Sequence, residues 1–231
     1  MVMKKFIVYL LFQTLGLLCF VNSSIAETKS TSIHERLNDL SAFLGTPKLE
    51  GVDVIQNNLP EPYRFLLVQP LMTKGIEEYY QRSAWIEQLH REMNKDSNIY
   101  SRAILMMVDS QKQESGSYKK LNPVIVEVAF IKINFNELPK QAIASILNTN
   151  TPFGKVLLNN KISTFTKDRA YFSTNCNADF AKILKCKRNQ IIFGRINTLV
   201  RKDNNQWVAQ VVEILSGLKC KEKQCSFISD N

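Results

Sequence analysis

Histidine is nearly missing from this 231-residue chain: there are two, His34 and His90, and neither sits in a cluster. That scarcity removes the commonest metal ligand and the commonest general base. The cysteines add no metal motif, since none of their spacings is CxxC and both histidines are far from them in sequence. GxSxG, HExxH, Walker and GxGxxG patterns are all absent. A formal charge of +9 suggests nucleic acid, but the lysines and arginines are scattered, without interleaved aromatics or a nucleic-acid motif. The basic balance favours anionic ligands or envelope surfaces in general. Internal repeats and low-complexity tracts are missing, and beyond the first 26 residues no stretch is long and apolar enough to span a bilayer. Any chemistry therefore falls to carboxylate and guanidinium groups held in a shaped pocket, with no metal and no cofactor expected.

The opening of the chain reads as a secretory signal. Lys4 and Lys5 precede an apolar run over residues 6–21, and Ser24 and Ala26 fit the small-residue cleavage pattern, which predicts processing after Ala26 and an exported or periplasmic protein. Left uncleaved, that segment would be the protein's only link to a membrane. Removing it lowers the formal charge to +7 and leaves Cys176, Cys186, Cys220 and Cys225. An even number in an exported chain predicts disulfides; of three connectivities, the local pairs Cys176–Cys186 and Cys220–Cys225 close the shortest loops. The organisation expected is a signal at 1–26, an N-terminal helix and linker at 27–58, a main domain at 59–216 and a disulfide-bearing tail at 217–231.

The chain is organised around residues 191–215, where two apolar runs flank Lys202-Asp203-Asn204-Asn205 and read as a β-hairpin. Alternation places Ala209, Val211, Glu213 and Leu215 on one face, so Glu213 is a lone carboxylate among aliphatic neighbours. Arg102 is its counterpart on a strand at 99–109, sharing a face with Tyr100, Ile104, Met106 and Val108. Glu127 is a third charge on an apolar face, with Arg195 a candidate partner. Burying such groups costs several kcal/mol unless an ion, a proton or a ligand meets them. An Arg102–Glu213 core ion pair is the structural alternative to a ligand site. The remaining pattern alternates strands (124–135, 163–171) with short helices (about 33–44, 73–82, 139–147, 179–184); Thr31 or Ser32 caps the first helix and Thr73 the second. Residues 84–93 fit helix or strand, and 111–122 read as an exposed loop. This is an α+β pattern with mostly antiparallel strands.

The order of five blocks resembles the chorismate lyase (chorismate–pyruvate lyase) family. They are Leu66-Leu67 with Met72-Thr73, then Tyr100 to Leu105 around Arg102, then Thr151-Pro152-Phe153-Gly154, then Phe193-Gly194-Arg195, and finally Val211 to Leu215 around Glu213. The resemblance implies an antiparallel sheet flanked by helices, an internal cavity for a small aromatic acid, and a monomer. It further implies cofactor-free elimination of pyruvate from chorismate to leave 4-hydroxybenzoate. Carried over, Arg102 grips the ring carboxylate with help from backbone N–H groups near Met72, and Glu213 protonates the leaving oxygen. Met72, Thr73, Phe153, Gly154 and Arg195 complete the substrate-binding set. Two departures stand out: Phe153 replaces the family's usual leucine, and Phe130 stands where the enzymes carry an arginine. Export also separates the protein from cytoplasmic chorismate. The alternative is therefore an exported, non-catalytic binder of a small aromatic or other carboxylic acid; a third reading is an envelope interaction protein with only a core ion pair.

Overall fold

The computed structural model describes residues 32–46, 48–110, 122–220 and 225–227. The signal segment, Thr31 as a cap and residues 111–121 of the expected loop lie outside these. Among the described residues nine strands alternate with six α-helices: α1 (Ile33–Leu44), β1 (Val52–Val54), α2 (Tyr63–Leu67), α3 (Met72–Tyr80), β2 (Ala84–Asn94), β3 (Ile99–Asp109), β4 (Pro123–Asn134), α4 (Lys140–Asn148), α5 (Phe153–Asn159), β5 (Thr164–Asn175), α6 (Ala178–Leu184), β6 (Ile191–Arg201), β7 (Trp207–Leu215), β8 (Leu218–Cys220) and β9 (Cys225–Phe227). The first seven strands form one antiparallel sheet in the order β1-β5-β6-β7-β4-β3-β2, and β8 pairs with β9. The fold is the expected α+β arrangement, an antiparallel sheet flanked by helices.

Both faces of the sheet are covered, which explains why its central strands are apolar at nearly every position. Even-numbered residues of β4, β6 and β7, such as Val128, Phe130, Ile196, Val212 and Ile214, pack with Leu37 and Leu40 of α1 and Phe180 and Leu184 of α6. Odd-numbered residues, such as Ala129, Ile131, Leu199 and Val211, pack with residues of α2, α3, α4 and α5. Local signals set the helices on the first face. Ser32 caps α1 by accepting from the Glu35 N–H at 3.2 Å, and Gly45, at φ 63°, ends it. Asn177 accepts from the N–H groups of Asp179 and Phe180 to start α6, and the Cys176–Cys186 disulfide brackets that helix. Cys220–Cys225 closes the β8–β9 hairpin, so both local pairings are those of the sequence reading.

Several expectations change. Met72, not the residue after Thr73, opens α3, and Leu71 is its N-cap without a side-chain bond. Thr73 is buried instead. Residues 84–94 are strand, and residues 52–54, read as linker, pair with β5 at the sheet edge. The Thr151-Pro152-Phe153-Gly154 turn runs into a helix, α5, that periodicity did not announce. Phe130 points into the cluster under α1 and α6, away from the Arg102 face; the β4 residues on that face are Ala129 and Ile131, and β4 supplies no cation there.

Candidate ligand cavity

Strand register fixes the floor of the site. Across β3, β4, β7 and β6 the odd-numbered face (even-numbered on β3) forms rows: Met106–Glu127–Leu215, then Ile104–Ala129–Glu213–Arg195, then Arg102–Ile131–Val211–Asn197. Ala129 at the centre has almost no side chain, which leaves room above it. The roof is the start of α3 (Pro70 to Thr73) and of α5 (Phe153, Gly154). Gly154 allows the two helix starts to meet, since a Cβ there would lie 3.3 Å from Thr73 Oγ1. The enclosed space is about 40 Å³.

Met72, Thr73, Phe153, Gly154, Arg195 and Glu213 of the sequence-derived set all line this space, together with Glu127 and Asn197. Arg102 does not line it. It occupies the same sheet face one step beyond Ile104, and the register puts its Cα about 12 Å from that of Glu213, two strands over and two residues along. The two charges are therefore at opposite ends of the Ile104–Ala129–Ile131 patch and form no ion pair. The partner of Glu213 is Arg195, directly across β6–β7, with Nε donating to Oε2 at 2.5 Å. This also replaces the expected Glu127–Arg195 pair. The neighbouring Gly194 has to be glycine, because a Cβ would stand 2.6 Å from the Glu213 carbonyl oxygen and 2.5 Å from the Phe172 ring.

Arg195 is held at a second nitrogen as well. Its Nη1 donates to the carbonyls of Leu67 at 2.8 Å and Gln69 at 2.5 Å. Arg169 of β5 holds the same segment, donating to the Val68 carbonyl at 2.6 Å and the Gln69 carbonyl at 3.2 Å. Two guanidinium groups thus tie the chain just before the roof down to the floor.

Other polar groups here are unmet. Arg102 has 0 % exposure, and its Nε and Nη2 have no partner among the described residues. Burial pulls its pKa down, partly offset by Tyr100, though a guanidinium keeps its proton. Among the described residues, Asn197, 1 % exposed, has no partner for either amide atom, and Glu127, equally buried, has none for Oε2. Burial, reinforced by the Glu213 carboxylate and opposed by Arg195, pushes Glu127 well above its ordinary 4.5, which favours its protonated form. Each unmet buried group costs about 1–3 kcal/mol, more when charged. Sequence reasoning set Glu127 aside and missed Asn197, although the rule that found Glu213, a polar residue on an apolar strand face, applies to both. Among the described residues no group of three or more histidine, cysteine or acidic side chains is placed to hold a metal, and no helix is long and apolar enough to cross a membrane.

No protein-family model matches the chain, and no curated protein matches it. Among solved structures it is similar to the effector domain of PhnF from Mycobacterium smegmatis, at 12 % identity and TM-score 0.45, over 64 % of this chain and 91 % of that one. PhnF from the same organism aligns at 10 % identity and TM-score 0.47, over 70 % and 68 %. A possible transcriptional regulator, YydK, from Bacillus subtilis aligns at 9 % and 0.42, over 64 % and 63 %. Likeness at this level carries no inference about ligand or activity.

Proposed function

We propose that this protein binds a small carboxylic acid in the cavity between the sheet and the starts of α3 and α5. The observation that carries the reading is Arg102, a fully buried guanidinium with two unpaired nitrogens beside an apolar patch. A permanent cation in that position needs an anion, and among the described residues no carboxylate is bonded to it. The acid would lie over Ala129 and Ile131 with its carboxylate at Arg102 and its far end toward Arg195, Glu213 and Asn197. The uncapped N–H groups at the start of α3 face the same space and favour negative charge. The leading 26 residues direct export in this reading, which the two disulfides support.

Size sets a condition. A benzene-sized guest needs about 150 Å³, and one water about 10–15 Å³. The 40 Å³ present admits about three waters, so a ring displaces Phe153 or lifts α5 as it enters.

A second reading, retained lyase action on chorismate, has one observation in its favour: a buried carboxyl on the cavity wall whose pKa burial raises. Its owner is Glu127, whereas Glu213 is held in an ion pair. The reacting acid would then be Glu127, with Glu213 positioning Arg195. Incubating the oxidised full-length protein with chorismate and following pyruvate and 4-hydroxybenzoate separates the two. Binding without turnover is the expected result. Turnover abolished by Glu127→Gln would establish the enzyme instead.

A further inference from the structure

We propose that the β6 end of the cavity selects an uncharged hydrogen-bonding head group, a hydroxyl or carboxamide, with Asn197 as its reader, so that the pocket takes monocarboxylic acids and rejects dicarboxylates. This rests on the binding reading above and adds the chemistry of the second end.

Asn197 stands in the middle of β6, opposite Val211, with its side chain on the cavity wall. Its backbone is held from the other face by Arg36, which donates to the Asn197 carbonyl at 2.7 Å and to Thr198 Oγ1 at 2.8 Å. The side-chain amide is therefore fixed in place with both its donor and its acceptor unused. A structural asparagine in a sheet core would use them. A hydroxyl answers both atoms, and a carboxamide answers them with two parallel bonds.

Charge decides against a second carboxylate. Near Asn197 the cavity lining holds one cation among the described residues, Arg195, whose Nε donates to Glu213 and whose Nη1 donates to two carbonyls. Arg169 directs its two Nη atoms to the roof segment and Thr166. Two carboxyl groups, Glu213 and Glu127, already line the cavity beside Arg195. A ligand carboxylate beside Asn197 would be a third, with only an uncharged amide NH2 to receive it. Arg102, whose Nε and Nη2 have no partner among the described residues, lies on the same row but three strands away, about 14 Å. A ligand reaching from Arg102, just beyond the lining, to Asn197 would meet a cation at one end and an uncharged amide at the other, which suits a monoanion with a polar, uncharged far side.

The test is calorimetric titration of the oxidised full-length protein with benzoate, 4-hydroxybenzoate, 4-carbamoylbenzoate and terephthalate, repeated on Asn197→Leu. The two neutral-headed acids should bind about tenfold or more tighter than terephthalate, and tighter than benzoate. Asn197→Leu should erase the advantage over benzoate while leaving the melting temperature at or above that of the parent, because the amide bonds nothing in the empty protein. Terephthalate binding as tightly as 4-hydroxybenzoate, or a preference unaltered by Asn197→Leu, would overturn this proposal and leave the cavity reading intact. Failure of all four acids, benzoate included, would remove both.

Discussion

Two single residues carry most of the site's energetics. Glu127 is buried next to Glu213 with less than its share of one guanidinium. Its pKa is raised in the folded state, so between about 4.5 and that raised value the native protein binds more protons than the unfolded chain. Its favourable contribution is complete below the unfolded value and is lost as pH rises through the folded one. Stability should thus fall from pH 5 toward pH 8, and Glu127→Gln should flatten that decline and gain about 1–3 kcal/mol at pH 8, measured by urea denaturation at both pH values. Phe153 works through volume. Phe153→Leu should cost no more than about 1.5 kcal/mol of stability, enlarge the space above Ala129, and tighten 4-hydroxybenzoate binding several-fold in a calorimetric titration. Weaker binding in that variant would mean that the ring stacks on the ligand instead of obstructing it. These residues show what was legible in the sequence. Strand alternation sufficed to mark Glu213, Arg102 and Glu127 as charges out of place. It could not say which charges meet, because a pairing depends on register across strands far apart in sequence: Arg195 faces Glu213 through a hairpin, while Arg102 is separated from it by the whole of β4.

At the level of elements, the roof and the floor form one unit. Arg195 links Glu213 on β7 to the carbonyls that precede α3, Arg169 adds a second clasp, and Lys155 of α5 pairs with Glu77 of α3 at 2.6 Å. Removing the linchpin leaves Glu213 buried beside Glu127 without its ion-pair partner. Arg195→Met should therefore cost about 3–5 kcal/mol. Hydrogen exchange should also quicken at the amides of residues 68–73, with no comparable change around α1 on the opposite face of the sheet. Long strands and the α1 and α6 caps were readable because their patterns are local. The start of α3 was not, since Thr73 is a good N-cap by type yet is taken into the core one residue past the helix start. Nor was α5, a seven-residue helix too short to show a period.

For the whole molecule, the two disulfides lie outside the cavity and brace its surroundings. By loop-closure entropy, cross-links spanning 10 and 5 residues are worth about 2.7 and 2 kcal/mol. Reduction should lower the melting temperature markedly, and Cys176→Ala with Cys186→Ala should account for the larger share, with α6 loosened. The account as a whole turns on Arg102. Arg102→Met replaces an unpaired buried charge by an apolar side chain of similar length, so it should hold or raise stability in the empty protein while removing the anion's anchor. The deciding measurement is a calorimetric titration of 4-hydroxybenzoate into the oxidised parent and into Arg102→Met. The account predicts saturable one-site binding by the parent and at least a hundredfold loss in a variant that melts no lower. Equal binding by both proteins, or none by either, would contradict it.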